Sequence, residues 1–116
     1  MRHCLMLDLK DDPALIARYE AHHRAVWPEV TRHLAASGVT AMEIYRLGTR
    51  LCMVMETDDA VFDAERMARA QREDPRLAEW ERTMWTFQAP TAWTPPGAKW
   101  VAAQRIFDFD APPSPG

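Results

Sequence analysis

Two strand-like runs, Val39 to Arg46 and Leu51 to Thr57, are separated only by Leu47-Gly48-Thr49-Arg50, and helical patterns flank them on both sides. A glycine in so short a connection makes the two runs a hairpin. Upstream, His3-Cys4-Leu5-Met6-Leu7-Asp8-Leu9 reads as another strand, and Lys99 to Phe109 as a last one. The order is therefore β-α-β-β-α-β. Right-handed crossovers around a central hairpin give that order a ferredoxin-like α+β sandwich, one antiparallel sheet with helices on one face. The second face needs a cover, and in a small domain another copy of the chain commonly supplies it.

The helical boundaries follow from local chemistry. Asp12 can cap a helix whose first position is Pro13, and the pattern runs to about residue 26. Pro28 removes a backbone donor and restricts Trp27, so a break is expected there, with a second piece from about 28 to 36 closed by Ser37-Gly38. A later helical region, about 59 to 87, divides near Asp74-Pro75. Residues 88–98 carry Pro90, Pro95, Pro96 and Gly97 and read as an irregular loop. Residues 1–110 are read as a single domain and 111–116 as a flexible, proline-rich tail.

Composition narrows the partners. Fourteen basic against seventeen acidic residues leave a net charge of −3 with the signs interspersed, so neither nucleic acid nor an anionic membrane is expected. No signal peptide is read, and no apolar stretch approaches spanning length. Cys4 and Cys52, two cysteines in strand-like runs, read as reduced, buried residues in a cytoplasmic setting. They are too few and too far apart for a metal motif, and no phosphate-cradling glycine loop is present; neither metal nor cofactor is expected.

The chemistry is carried by Tyr19, His23 and Trp27. Spaced by four, they share one helix face, and Leu15, Ile16, Val26 and Val30 mark that face as the inward one. An imidazole titrates near ~6.5 when unperturbed, which suits it to give and take a proton at neutral pH. It needs a companion: Tyr19 could serve from one turn away, as could Glu43 if its strand presents that side. His22 is turned about 100° from His23 around the helix and reads as partner-satisfied or solvent-facing. Trp27 also has a plainer role, anchoring the kink before Pro28. Leu77, Trp80 and Met84 fall at helical spacing, the pattern of a core face. Met6, Met53 and Met55 read as core first and pocket lining second. Trp85, Trp93 and Trp100 are assigned to packing or pairing contacts.

Taken together, Tyr19-x3-His23-x3-Trp27-Pro28-Glu29, the strand run ending in Glu43-Ile44-Tyr45, and Trp80 before Met84 resemble the L-rhamnose mutarotase family, over about residues 3–109. The resemblance implies a dimeric ferredoxin-like enzyme of the α/β-barrel type, interconverting the α and β anomers of a deoxyhexose without a cofactor. It implies His23 as proton donor, with Tyr19 and Trp80 touching the sugar. Met42 stands where the family's substrate-binding tyrosine is expected, and Glu81 where a second tryptophan would follow Trp80. A related 6-deoxy sugar such as L-fucose therefore stands beside L-rhamnose as the expected substrate. Two other readings share the fold: a cofactorless or haem-dependent monooxygenase, and a non-catalytic sugar-binding dimer.

Overall fold

The computed structural model describes residues 1–110, so the tail at 111–116 lies outside the described residues. Three long strands, β1 (Arg2–Leu9), β2 (Val39–Leu47) and β3 (Arg50–Thr57), alternate with helices α1 (Pro13–Arg24), α2 (Pro28–Ala36), α3 (Ala64–Glu73) and α4 (Pro75–Trp85). Two short strands, β4 (Gln88–Ala89) and β5 (Val101–Ala102), complete the sheet. Its order is β2-β3-β1-β4, with β5 also on β1 and every pairing antiparallel. This is the ferredoxin-like arrangement.

Asp12 Oδ1 accepts from the amides of Ala14 and Leu15 at the start of α1, and Asp63 and Asp74 cap α3 and α4 in the same way. Each satisfies amides that the helix cannot pair. Pro13, Pro28 and Pro75 begin α1, α2 and α4, where a missing donor costs nothing. Gly38 ends α2 at φ +93, where a Cβ would lie 3.0 Å from the amide nitrogen of Phe62. Only glycine fits that turn without strain.

Register sorts the side chains onto two faces. Leu5, Leu7 and Leu9 of β1 lie on the same side as Leu51, Met53 and Met55 of β3, and Met42, Ile44 and Arg46 of β2 share it. This is the helix-covered side, where Leu7 and Leu51 are 0% and 1% exposed. The core continues into Tyr19, Val30, Leu77, Trp80, Met84 and Phe87. The reverse side carries Cys4, Met6 and Asp8 against Arg50, Cys52 and Val54, then Glu43, Tyr45 and Leu47.

Two expectations need correction. The last strand is not continuous from 99 to 109: only Val101–Ala102 pairs with β1, while Gln88–Ala89, expected in a loop, pairs with Asp8 and Leu9. Pro90 cannot donate to a ladder, so the edge of β1 is shared by two short pieces. Cys4 is exposed and Cys52 half-buried, because both side chains fall on the face without helices. Their sulfurs lie 3.5 Å apart.

Candidate active site

His23 sits one turn after Tyr19, and its Nδ1 is 2.9 Å from the Tyr19 carbonyl oxygen. A carbonyl can only accept, so Nδ1 carries the hydrogen and Nε2 is left with the lone pair, able to take up a proton. Burial pulls the imidazole below its ordinary 6.5, against the carbonyl bond, which raises it, while neighbouring His22 lowers it further. At neutral pH the ring is therefore an uncharged base with a poised lone pair.

Tyr19 is 3% exposed, and its ring centroid is 4.4 Å from that of His23. Its hydroxyl accepts from Gln88 Nε2 at 3.4 Å, leaving its own hydrogen to donate. Burial raises the phenol above its usual value, with Gln88 opposing and Glu81 adding to the rise. The phenol thus stays protonated. It is a hydrogen-bond donor beside a base.

Both rings line a cleft of about 660 Å³ between α1, α2 and β2, a volume in the range of small-molecule sites. Val26, Leu34, Met42 and Ile44 give it an apolar wall, and Glu20 and Arg46 a charged one. Trp80 is 6% exposed and does not line this cleft. It packs edge-on behind the imidazole, 5.9 Å from His23, and also meets His22 and Trp27. Trp27 lies between Trp80 and the Arg76 guanidinium, 3.6 Å over its ring, and so braces the junction between α1 and α2. His22 is half-buried against Phe87 and Trp80.

Glu43 is the sequence candidate that the structure sets apart. It faces the other side of the sheet, opposite Val54, and accepts a hydrogen bond from the Tyr45 hydroxyl. Strand parity decides this: Met42 and Ile44 point into the cleft, so Glu43 between them points away. Sequence reasoning passed over Glu20, Arg46 and Gln88. Arg46 shares the parity of Met42 and Ile44, a series that becomes inward only once helices cover that side of the sheet. Gln88 left none, because its strand was not foreseen.

Among the described residues, no three His, Cys, Asp or Glu side chains converge to hold a metal ion, and no helix is long and apolar enough to cross a membrane.

The fold and the cleft together define a ferredoxin-like domain with an uncharged imidazole beside a phenol donor at its cleft. Residues 2–109 match the family model described as L-rhamnose mutarotase. An L-fucose mutarotase of Xanthomonas campestris pv. campestris is 46% identical over 110 residues, covering 91% of this chain and 86% of that protein. A UPF0734 protein of Dictyostelium discoideum is 34% identical over 108 residues, covering 90% and 86%. In fold, the chain is similar to an L-rhamnose mutarotase of Formosa agariphila, with TM-score 0.67, 14% identity and 95% and 99% of the two chains covered. Tetracenomycin F2 cyclase of Streptomyces glaucescens, a type-II polyketide cyclase, superposes with TM-score 0.60 at 23% identity, covering 97% and 99%. The chain belongs to the L-rhamnose mutarotase family, isomerases acting on carbohydrates. Neither the monooxygenase nor the non-catalytic reading is favoured by these relatives.

Proposed function

We propose that this mutarotase interconverts the α and β anomers of a 6-deoxyhexose, L-fucose or L-rhamnose, with His23 as its acid–base residue. The observation that carries the residue assignment is the Nδ1 bond to the Tyr19 carbonyl, which leaves Nε2 free beside a protonated phenol and a cleft. Nε2 takes the proton of the anomeric hydroxyl as the C1–O5 bond breaks and C1=O1 forms. Tyr19 donates a hydrogen bond to the departing O5, and the imidazolium then delivers its proton there. The open-chain aldehyde turns about C1–C2 and closes on its other face by the reverse steps. No electrons change hands, and His23 ends as it began. Trp80 holds the imidazole plane from behind, and Trp27 acts one contact further out. Glu43 could reach a sugar only from a neighbouring copy of the chain.

A homodimer belongs to this reading. The helix-free face carries Met6, Val54, Tyr45 and Leu47, and Leu47 is 86% exposed. Apolar side chains grouped on one face mark an interface, and a second copy has the matching surface by symmetry. The paired thiols of Cys4 and Cys52, unbonded at 3.5 Å, suit the reducing cytoplasm. Saturation-transfer NMR on L-fucose and L-rhamnose is the direct test. Anomeric exchange no faster with protein than in buffer would sink the activity, whereas a folded, fully active His23→Ala protein would sink only the residue assignment.

A further inference from the structure

We propose that Glu20 and Arg46 hold the C2–C3 hydroxyl edge of the sugar, so that its deoxy methyl group enters the apolar end of the cleft. This rests on the mutarotase reading above and adds the orientation of the substrate. Arg46 Nε donates to Glu20 Oε1 at 2.5 Å, and Arg46 Nη1 donates to the Gly48 carbonyl at 2.9 Å. These bonds fix the guanidinium and leave Nη2 and Glu20 Oε2 without a partner among the described residues. A donor beside an acceptor is what two neighbouring hydroxyls need. The pair is partly exposed, with 38% and 43% of the side chains accessible, so it contributes little to stability.

The two cleft walls run in the same direction. On one wall Glu20, His23 and Val26 follow at three-residue steps; on the other, Arg46, Ile44 and Met42 follow along the inward side of β2. Both walls begin in charge and continue in Val26, Ile44 and Met42; Leu34 also lines the cleft, as do Thr31 and Thr40, whose hydroxyls are already donated to the Pro28 and Glu56 carbonyls. A 6-deoxyhexose has the same sequence of surfaces. The hemiacetal bond that His23 must reach is flanked by the C5 methyl on one side and by the C2 and C3 hydroxyls on the other. Only one orientation puts each part against its like.

The test compares whichever of L-fucose and L-rhamnose exchanges faster with its 2-deoxy analogue, in the wild-type protein and in Arg46→Met, Arg46→Lys and Glu20→Gln. We expect Arg46→Met to lose about tenfold or more of catalysed exchange on the parent sugar, chiefly through KM. On the 2-deoxy sugar, which keeps only the C3 hydroxyl of that edge, it should lose markedly less, because one of the two contacts is already missing. Arg46→Lys, which keeps one donor, should fall between. Replacing the methyl by a hydroxymethyl group, as in L-galactose for L-fucose, should cost the wild-type protein about tenfold, and Met42→Gln should narrow that gap. Equal losses on parent and 2-deoxy sugars, or no loss in folded Arg46→Met and Glu20→Gln proteins, would overturn the assignment while leaving the mutarotase reading intact. A wild-type protein that accelerates neither sugar would overturn both.

Discussion

The two faces of the sheet are made from the same three long strands, yet they differ in almost every physical respect. On the covered face, Leu7 and Leu51 are excluded from water and Met53 and Met55 pack beneath the helices. Here the site is built, because α1 can hold Tyr19 and His23 against β2 only where the sheet is apolar. On the other face, Asp8 pairs with Arg50, Glu56 with Arg2 and Glu43 with Tyr45, and Leu47 stands in solvent. The two ion pairs are wholly or partly exposed, and such pairs contribute little. One face holds the core and the candidate site, and the other carries exposed charge and scattered apolar side chains.

The largest expected effect lies on the covered face. His23→Gln removes the exchanging nitrogen and should lower catalysed anomeric exchange by roughly 10²–10⁴, the usual worth of a positioned acid–base group, with near-UV circular dichroism unchanged. The two faces separate next in stability. Leu51→Ala should lower the unfolding free energy in urea by about 2–5 kcal/mol, because it opens a cavity in a closed core. Val54→Ala, on the other face, should cost under about 1 kcal/mol in a monomer. A Val54 loss as large as that of Leu51 would mean that a second copy buries this face.

Tyr19→Phe should keep the ring and lose the hydroxyl, slowing exchange by about tenfold and costing ~1 kcal/mol as Gln88 loses its partner. The pH dependence has a definite sign. His23 and His33 are both held below 6.5 by burial, so the unfolded chain takes up protons that the folded chain refuses. Stability is complete above 6.5 and declines as pH falls through and below it. Urea midpoints between pH 7.5 and 5 should show this, with a shallower slope in His23→Gln; activity should fall over the same acidic range as the base is protonated. Smallest in its effect on the isolated fold is Leu47→Glu, within about 0.5 kcal/mol. Sedimentation should nonetheless find it shifted toward monomer, and an unchanged mass would remove Leu47 from the association surface.

Much of the frame was legible in advance because it depends on short-range rules. The hairpin follows from Gly48, two helix starts from Asp12 and Asp74 with prolines behind them, and the break from Pro28, whereas the helical region expected from about 59 begins only at Ala64, after the cap at Asp63. The Tyr19–His23 contact follows from four-residue spacing within one helix. Errors arose where distant segments compete for the same edge or face. The strand expected at 99–109 shrank to two residues: Gln88–Ala89 holds Asp8 and Leu9, where residues 98 and 99 would pair, and the regular pairing ends once Ala103 has donated to the Cys4 carbonyl. Trp80 was identifiable as inward-facing, but only the packing of α4 puts it behind the imidazole.

Sequence by itself determined the order of elements apart from β4, the inward stripe of α1 and the presence of a titratable ring beside a phenol, since each depends on residues close in the chain. Tertiary structure alone decided which parity of β2 faces that ring, admitting Met42, Ile44 and Arg46 and turning Glu43 away. It also decided that burial would hold the His23 imidazole below its ordinary value. Both depend on what packs against the residue, and a strand's alternation has no sign until a helix covers one of its sides.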